Sequence, residues 1–285
     1  MMPRENPFPF VVKALTDLPQ EFQQAVQSYL PEEESIHSIL MLPPQPFMKR
    51  GGVPRQALLS TTHGMLHVQD GKPLTANYLP AESLIYIHHK LILLYGSLEV
   101  AVEVNGELVR AIAEYNTVGQ YLLDNTLRQF LQMRYNPNLD ETTREQNKAI
   151  LDQLNKESFK FMNGLRLYAL RPGERLLGYV FQPRIKEQFL RFFSRPIAPT
   201  SIFALTDQSI VLVEEDKARG ASYGWVITIC PRKVVLNVES KPMQKWQKFS
   251  VLLMKNNVNM ERNLILEHDT ALACKALWAS RISPA

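Results

Sequence analysis

Six histidines, two cysteines and scattered carboxylates are the side chains of this 285-residue chain best suited to chemistry, and their spacing assembles no site. His63 and His67 flank one predicted hairpin, with His67 opposite Thr62 in parity, so nothing supports a shared metal. Adjacent His88 and His89 lie in a predicted strand and point to opposite faces. Cys230 and Cys274 form neither a CxxC nor a zinc-ligand pattern and read as two small buried thiols of a reducing compartment. Glu99, Glu103 and Glu107 recur every four residues, but they cross a strand and an Asn-Gly turn, so they are edge charges. There is no Gly-rich phosphate loop, GxSxG elbow or HExxH motif. No cofactor or metal is expected, and no enzymatic activity.

The pattern with most to offer a ligand is cationic and aromatic. Arg184, Lys186, Arg191 and Arg195 interleave with Phe189, Leu190, Phe192 and Phe193, a combination that suits a lipid headgroup plus acyl surface. The same residues also suit an amphipathic helix or long hairpin whose rings pack and whose cations are solvated. Lys241, Lys245, Trp246 and Lys248 read as a solvated basic loop. The net charge of +4 is uneven: residues 1–163 hold 14 Lys/Arg against 18 Asp/Glu, and residues 164–285 hold 18 against 10. A basic second half suits phosphate-bearing partners or an acidic neighbour. The aromatics at its hairpin do not match an RNA-binding sheet, so nucleic acid is not expected.

The elements that must position these residues are mostly strands. Residues 1–13 read as an irregular arm and a poor signal peptide. Asp17 and Gln20 suggest a capping box for a helix from about Leu18 to Tyr29. Strands follow over Ile36–Leu42, the hairpin Ala57–Val68, Ser83–His89, Leu91–Tyr95 and Leu98–Val104, with Asn105-Gly106 as the strongest hairpin turn. Asn116 is the natural cap of a helix whose face is Leu123, Leu127, Phe130 and Leu131. Residues 138–163, capped by Asp140, form a predicted helical connector. No run approaches the roughly 18 apolar residues of a membrane span.

The pattern then restarts. Leu30-Pro31-Glu32-Glu33 is echoed by Leu170-Arg171-Pro172-Gly173-Glu174, and Ile36–Leu42 by Leu176–Phe181. Leu59-Ser60-Thr61-Thr62-His63-Gly64 is echoed by Ala204-Leu205-Thr206-Asp207-Gln208-Ser209, and Leu79-Pro80 by Cys230-Pro231. Glu114-Tyr115-Asn116-Thr117 pairs with Glu267-His268-Asp269-Thr270. Five matches in one order read as a duplicated domain.

This order, with its Leu-Thr-Asp hairpin, resembles the bacterial pleckstrin-homology-like (PH/GRAM-like) domains over about 30–133 and 166–283. The resemblance implies a mainly β, α+β protein. Two tandem domains would each be a bent antiparallel sheet or partly open barrel capped by a C-terminal helix. The boundaries expected are an arm and helix at 1–29, the first domain at 30–135, a helical connector at 136–165 and the second domain at 166–285. Trp278 resembles the tryptophan that plugs such barrels; in the first unit Phe130 or Tyr121 must serve. Family members are binding platforms, and in lipid-binding members the loop between the first two strands carries the basic residues. That loop would hold Lys49 and Arg50 in the first unit and Arg184, Lys186, Phe189, Arg191, Phe192 and Arg195 in the second. A cytoplasmic adaptor for protein or peptide is the first expectation, and peripheral binding to an anionic membrane through 184–195 is the alternative. Self-association through either unit stays open.

Overall fold

The computed structural model describes residues 7–45, 52–132, 141–171, 173–190, 193–216 and 224–280. The chain is mainly β, built of several antiparallel sheets, none of which closes on itself among the described residues. It divides into two compact units, Met1–Asn136 and Pro137–Ala285.

The first unit opens with β1 (Phe10–Val12) and α1 (Gln20–Tyr29). Asp17 does not cap that helix as expected; it lies in a short 3-10 turn and accepts from the backbone of Ala14 at 3.2 Å, while Pro19 stands at the cap. The next strands are β2 (Ile36–Leu42), β3 (Gln56–Thr61), β4 (Gly64–Gln69) and β5 (Thr75–Pro80), in the spatial order β1-β2-β3-β4-β5. A separate meander of β6 (Leu84–Ile92), β7 (Tyr95–Val104) and β8 (Glu107–Asn116) follows. Then Asn116 caps a 3-10 turn, accepting from Val118 N at 3.0 Å, and leads into α2 (Gln120–Gln132).

β3 and β4 are buried almost throughout instead of alternating. The reason is that both faces are covered: α1 packs on β4 and β5 while α2 packs on β2 and β3. Phe22 and Val26 of α1 join Ile39, Leu59, Leu66 and Val68 in one cluster. Fully burying a side chain the size of Phe22 contributes about 2–3 kcal/mol.

The second unit begins with α3 (Glu141–Glu157) and α4 (Phe159–Gly164), interrupted where Ser158 caps α4. A π-helical turn, Leu165–Ala169, completes the layer. The cap expected at Asp140 lies outside the described residues. The segment read from the sequence as a connector packs on this unit. Phe161 is 1% exposed and meets Trp225 and Phe181 edge-on, with ring centroids 5.0 and 5.5 Å away.

The sheet of this unit holds β9 (Leu176–Gln182), β12 (Ser201–Thr206), β13 (Ser209–Glu215) and β14 (Gly224–Pro231), in the order β14-β13-β12-β9. Between β9 and β12 the chain makes a separate two-stranded ribbon, β10 (Ile185–Leu190) and β11 (Phe193–Ala198). A meander of β15 (Val235–Met243), β16 (Trp246–Lys255) and β17 (Val258–Leu266) follows, then α5 (His268–Ala279), which lies on β9, β12, β15 and β16. Trp278 is buried there, with the Arg232 guanidinium 5.9 Å from its ring. In the first unit Phe130 is fully buried, whereas Tyr121 is 65% exposed and plugs nothing.

The repetition extends to irregularities. Register shifts at the start of β2, between Ile36 and Ser38, and at the start of β9, whose Leu176 and Gly178 face Thr206 and Leu205 of β12. Each meander shifts again at its start, between Leu84 and Tyr86 and between Val235 and Asn237. The turns match as well: Leu93 (φ 49°) with Gln244 (φ 55°), and Asn105 (φ 52°) with Asn256 (φ 49°). Bulges and left-handed turn residues are specific local features, and pattern alone does not force them to recur. The pairs Leu84/Val235, Leu93/Gln244 and Asn105/Asn256 share one sequence offset. That offset sets Asn116 over Glu267, two residues from the match drawn on sequence.

Candidate binding surface

The carboxylates and hydroxyls that stand out in each unit are spent on holding its first hairpin. In the first, Glu34 accepts from His63 N at 3.0 Å and from the Tyr78 hydroxyl at 2.5 Å, beside His63 Nδ1 at 3.0 Å. In the second, Glu174 accepts from Arg171 N at 2.9 Å, Thr206 Oγ1 at 3.1 Å and Ser209 Oγ at 2.8 Å. Thr61 and Thr206 each fold the turn by accepting from the backbone three residues on, at 3.2 and 2.7 Å. Thr62 and Asp207 each accept from the strand before, at Ser35 N and Arg175 N. His63 O and Gln208 O each accept from the residue after the β5 or β14 proline, Ala81 or Arg232.

The two carboxylates titrate in opposite directions. Burial pulls the Glu34 carboxyl up, but the donors Thr61, Tyr78 and His63 outweigh it and hold the group below its usual 4.5. Glu174 is fully buried, and there burial wins over its hydrogen bonds and pushes the carboxyl up.

Two of the histidines and both cysteines are buried. His67 is buried with Nε2 3.1 Å from Gln56 Oε1, and burial pulls it down to about 4. His89 Nε2 lies 2.7 Å from the Tyr115 hydroxyl. Cys230 and Cys274 are free and buried, each thiol pushed up to about 12 by that burial. Among the described residues no three His, Cys, Asp or Glu side chains gather as a metal site, and no helix is long and apolar enough to cross a membrane.

The cationic candidates separate. Arg184 is committed to an internal ion pair, Nη2 lying 2.9 Å from Glu215 Oε2, while Lys160 Nζ holds the other oxygen at 2.7 Å. Lys186 and Arg195 stand exposed on the β10–β11 ribbon, where Glu187 faces Arg195 and Lys186 faces Pro196. Neither makes an ion pair among the described residues. The ribbon meets the β15–β16 turn through Lys245 Nζ and Glu187 Oε1 at 3.4 Å, so the two basic stretches seen in the sequence are neighbours. Within the second stretch, Lys248 lies 2.9 Å from Glu261 and Lys241 lies 3.9 Å from Glu239, so these cations are partly neutralised. Phe189 lies in β10; its side chain, and all of Lys49, Arg50, Arg191 and Phe192, fall outside what is described.

A feature not foreseen from the sequence is the strand β1. The arm read as irregular pairs antiparallel with β2, setting Phe10 against Met41, Val11 against Leu40 and Val12 against Ile39. Pro9 packs on Gly119, where an added Cβ would lie 2.4 Å from the proline ring. A cleft of about 160 Å³ remains between this edge and α2, lined by Val11, Ser38, Leu40, Leu122, Asn125 and Gln129. Ser38 Oγ donates across its floor to Gln129 Oε1 at 2.7 Å. The β-branched pair Val11-Val12 was the available signal, masked by Pro7 and Pro9 before it.

No protein-family model matches the chain, and a search of curated proteins finds no match.

Proposed function

We propose that the protein is a non-enzymatic adaptor that binds protein or peptide through two pleckstrin-homology-like units derived from one duplicated domain. What supports the common origin is the recurrence of element order, bulges, left-handed turns and the carboxylate clamp. The observation that carries the binding reading is β1 on β2: an extended segment seated on a sheet edge beside a helix is strand addition, a general mode of peptide recognition. Glu34 and Glu174, the carboxylates at equivalent places in the two units, are engaged in holding the first hairpins. The test is capture of a protein by the immobilised full-length chain from extract of its source organism. The expected result is saturable binding, competed by free chain and retained at high salt. Absence of any saturable protein partner would overturn the reading.

One observation favours the second reading, attachment to an anionic membrane. Lys186 and Arg195 are exposed on the β10–β11 ribbon, neither in an ion pair among the described residues, and the sequence between its strands is Arg191-Phe192. Cations beside large apolar residues are what such a surface recruits.

A further inference from the structure

The two units differ at one equivalent edge. In the first, β2 is covered by β1, and its Leu40 and Met41 are 1% and 6% exposed. The equivalent strand of the second is β9, which ends the order β14-β13-β12-β9 and has no strand partner on its other side among the described residues. Val180 and Phe181, which stand where Leu40 and Met41 do, are only half-buried.

The start of the β9 edge is already paired, and with a mimic of a peptide group. The Asn147 carboxamide donates through Nδ2 to Glu174 O at 2.9 Å and accepts through Oδ1 from Leu176 N at 2.7 Å. That is how a neighbouring strand engages residues i and i+2. Beyond it, through Gln182, the edge runs between helices: Tyr179 reaches α3 at Glu157, 2.6 Å away, and Gly178 meets α5 at Leu277. On α5 the positions equivalent to Leu122 and Asn125 of the first-unit cleft are Ala273 and Ala276, both exposed. These two positions carry only methyl groups where the first unit carries Leu122 and Asn125.

We infer that β9 is a strand-addition site, and that its occupant is an extended segment of a partner protein with the chemistry of Phe10-Val11-Val12. The chain's own β1 supplies the template, because it is the segment that fills the equivalent edge. Main-chain pairing supplies the affinity, and the inward β-branched or aromatic residue packs against Val180 and α5. This rests on the adaptor reading and assigns its site.

The test is site-resolved amide hydrogen exchange on the full-length chain, with and without a synthetic peptide of sequence 7–14 in excess. Amides of β9 are expected to exchange faster than those of β2 in the free chain and to slow when peptide is added. Ala276→Arg, on the exposed face of α5, is expected to weaken that protection about tenfold in apparent affinity, with unchanged thermal unfolding. Ala273→Glu is the second blocking variant should the first fail to fold. Peptide protection confined to other strands, equal protection in the blocked variants, or β9 amides as slow as β2 in the free chain would each overturn the site. A blocked variant that still captures the protein partner also overturns it and leaves the adaptor reading standing. Wild-type chain that shows neither partner capture nor β9 protection overturns both, whereas joint loss of the two in a blocked variant is the expected result.

Discussion

Glu34 and Glu174 occupy the same place in their units, yet linkage gives their charges opposite effects on stability. The folded state holds Glu34 below 4.5, so its contribution is present above that pH and is lost as pH falls through the folded value. Glu174 is raised, so its contribution is full below 4.5 and is lost as pH rises through its folded value. Carboxyl-carbon NMR titration is expected to show the first midpoint below 4.5 and the second above it; midpoints displaced in the same direction would contradict the clamp geometry. Glu174→Ala strands the three donors from Arg171, Thr206 and Ser209 and is expected to cost about 3–5 kcal/mol by chemical denaturation. Glu174→Gln keeps an acceptor, should stay within about 1 kcal/mol, and should gain on wild type as pH rises. Leu93 makes a separate case. It sits exposed with φ 49°, a conformation that crowds its Cβ, and Leu93→Gly is expected to stabilise by about 0.5–1 kcal/mol in the same assay.

At the scale of elements, the helical layer of the second unit tests where that unit begins. Phe161 lies between Trp225 and Phe181, so Phe161→Ala is expected to destabilise by about 3–5 kcal/mol, whereas a free connector would tolerate it within about 0.5 kcal/mol. Strands and hairpins were legible because Val, Ile and Leu runs end at punctuating turns: Asn105-Gly106 turns as expected, and Asn116 caps as expected. The turn at Leu93-Leu94 was not legible: Leu91–Tyr95 reads as a strand because two leucines carry no turn signal, whereas β6 ends at Ile92 and β7 begins at Tyr95. β1 was hidden by Pro7 and Pro9, which precede it and read as an irregular arm; the strand itself, Phe10–Val12, holds no proline. The packing role of α3 and α4 was not legible because amphipathicity shows that a helix has a partner without saying which. The ligand candidates were the least legible. Sequence gives the charge of Arg184, but only the fold brings Glu215 beside it and takes that charge out of contention.

For the whole molecule, repetition and difference together carry the functional reading. Both units build an equivalent carboxylate clamp at the first hairpin, and they differ at the sheet edge, which β1 covers in one and which has no strand partner in the other among the described residues. The competing use of the second unit, a cationic ribbon on an anionic membrane, makes a different physical demand: its affinity comes from Lys186 and Arg195 and is screened by salt. Arg184 serves as an internal control, because Arg184→Ala removes one partner of Glu215 and should lower stability by about 1–2 kcal/mol without altering vesicle binding. The most direct measurement is therefore co-sedimentation of the full-length chain with neutral and anionic vesicles, wild type beside the double variant Lys186→Glu/Arg195→Glu. A protein-binding adaptor is expected to pellet equally little with both vesicles at physiological salt, with no difference between wild type and variant. Salt-sensitive pelleting with anionic vesicles alone, abolished by the charge reversal, would contradict it and make the membrane the partner.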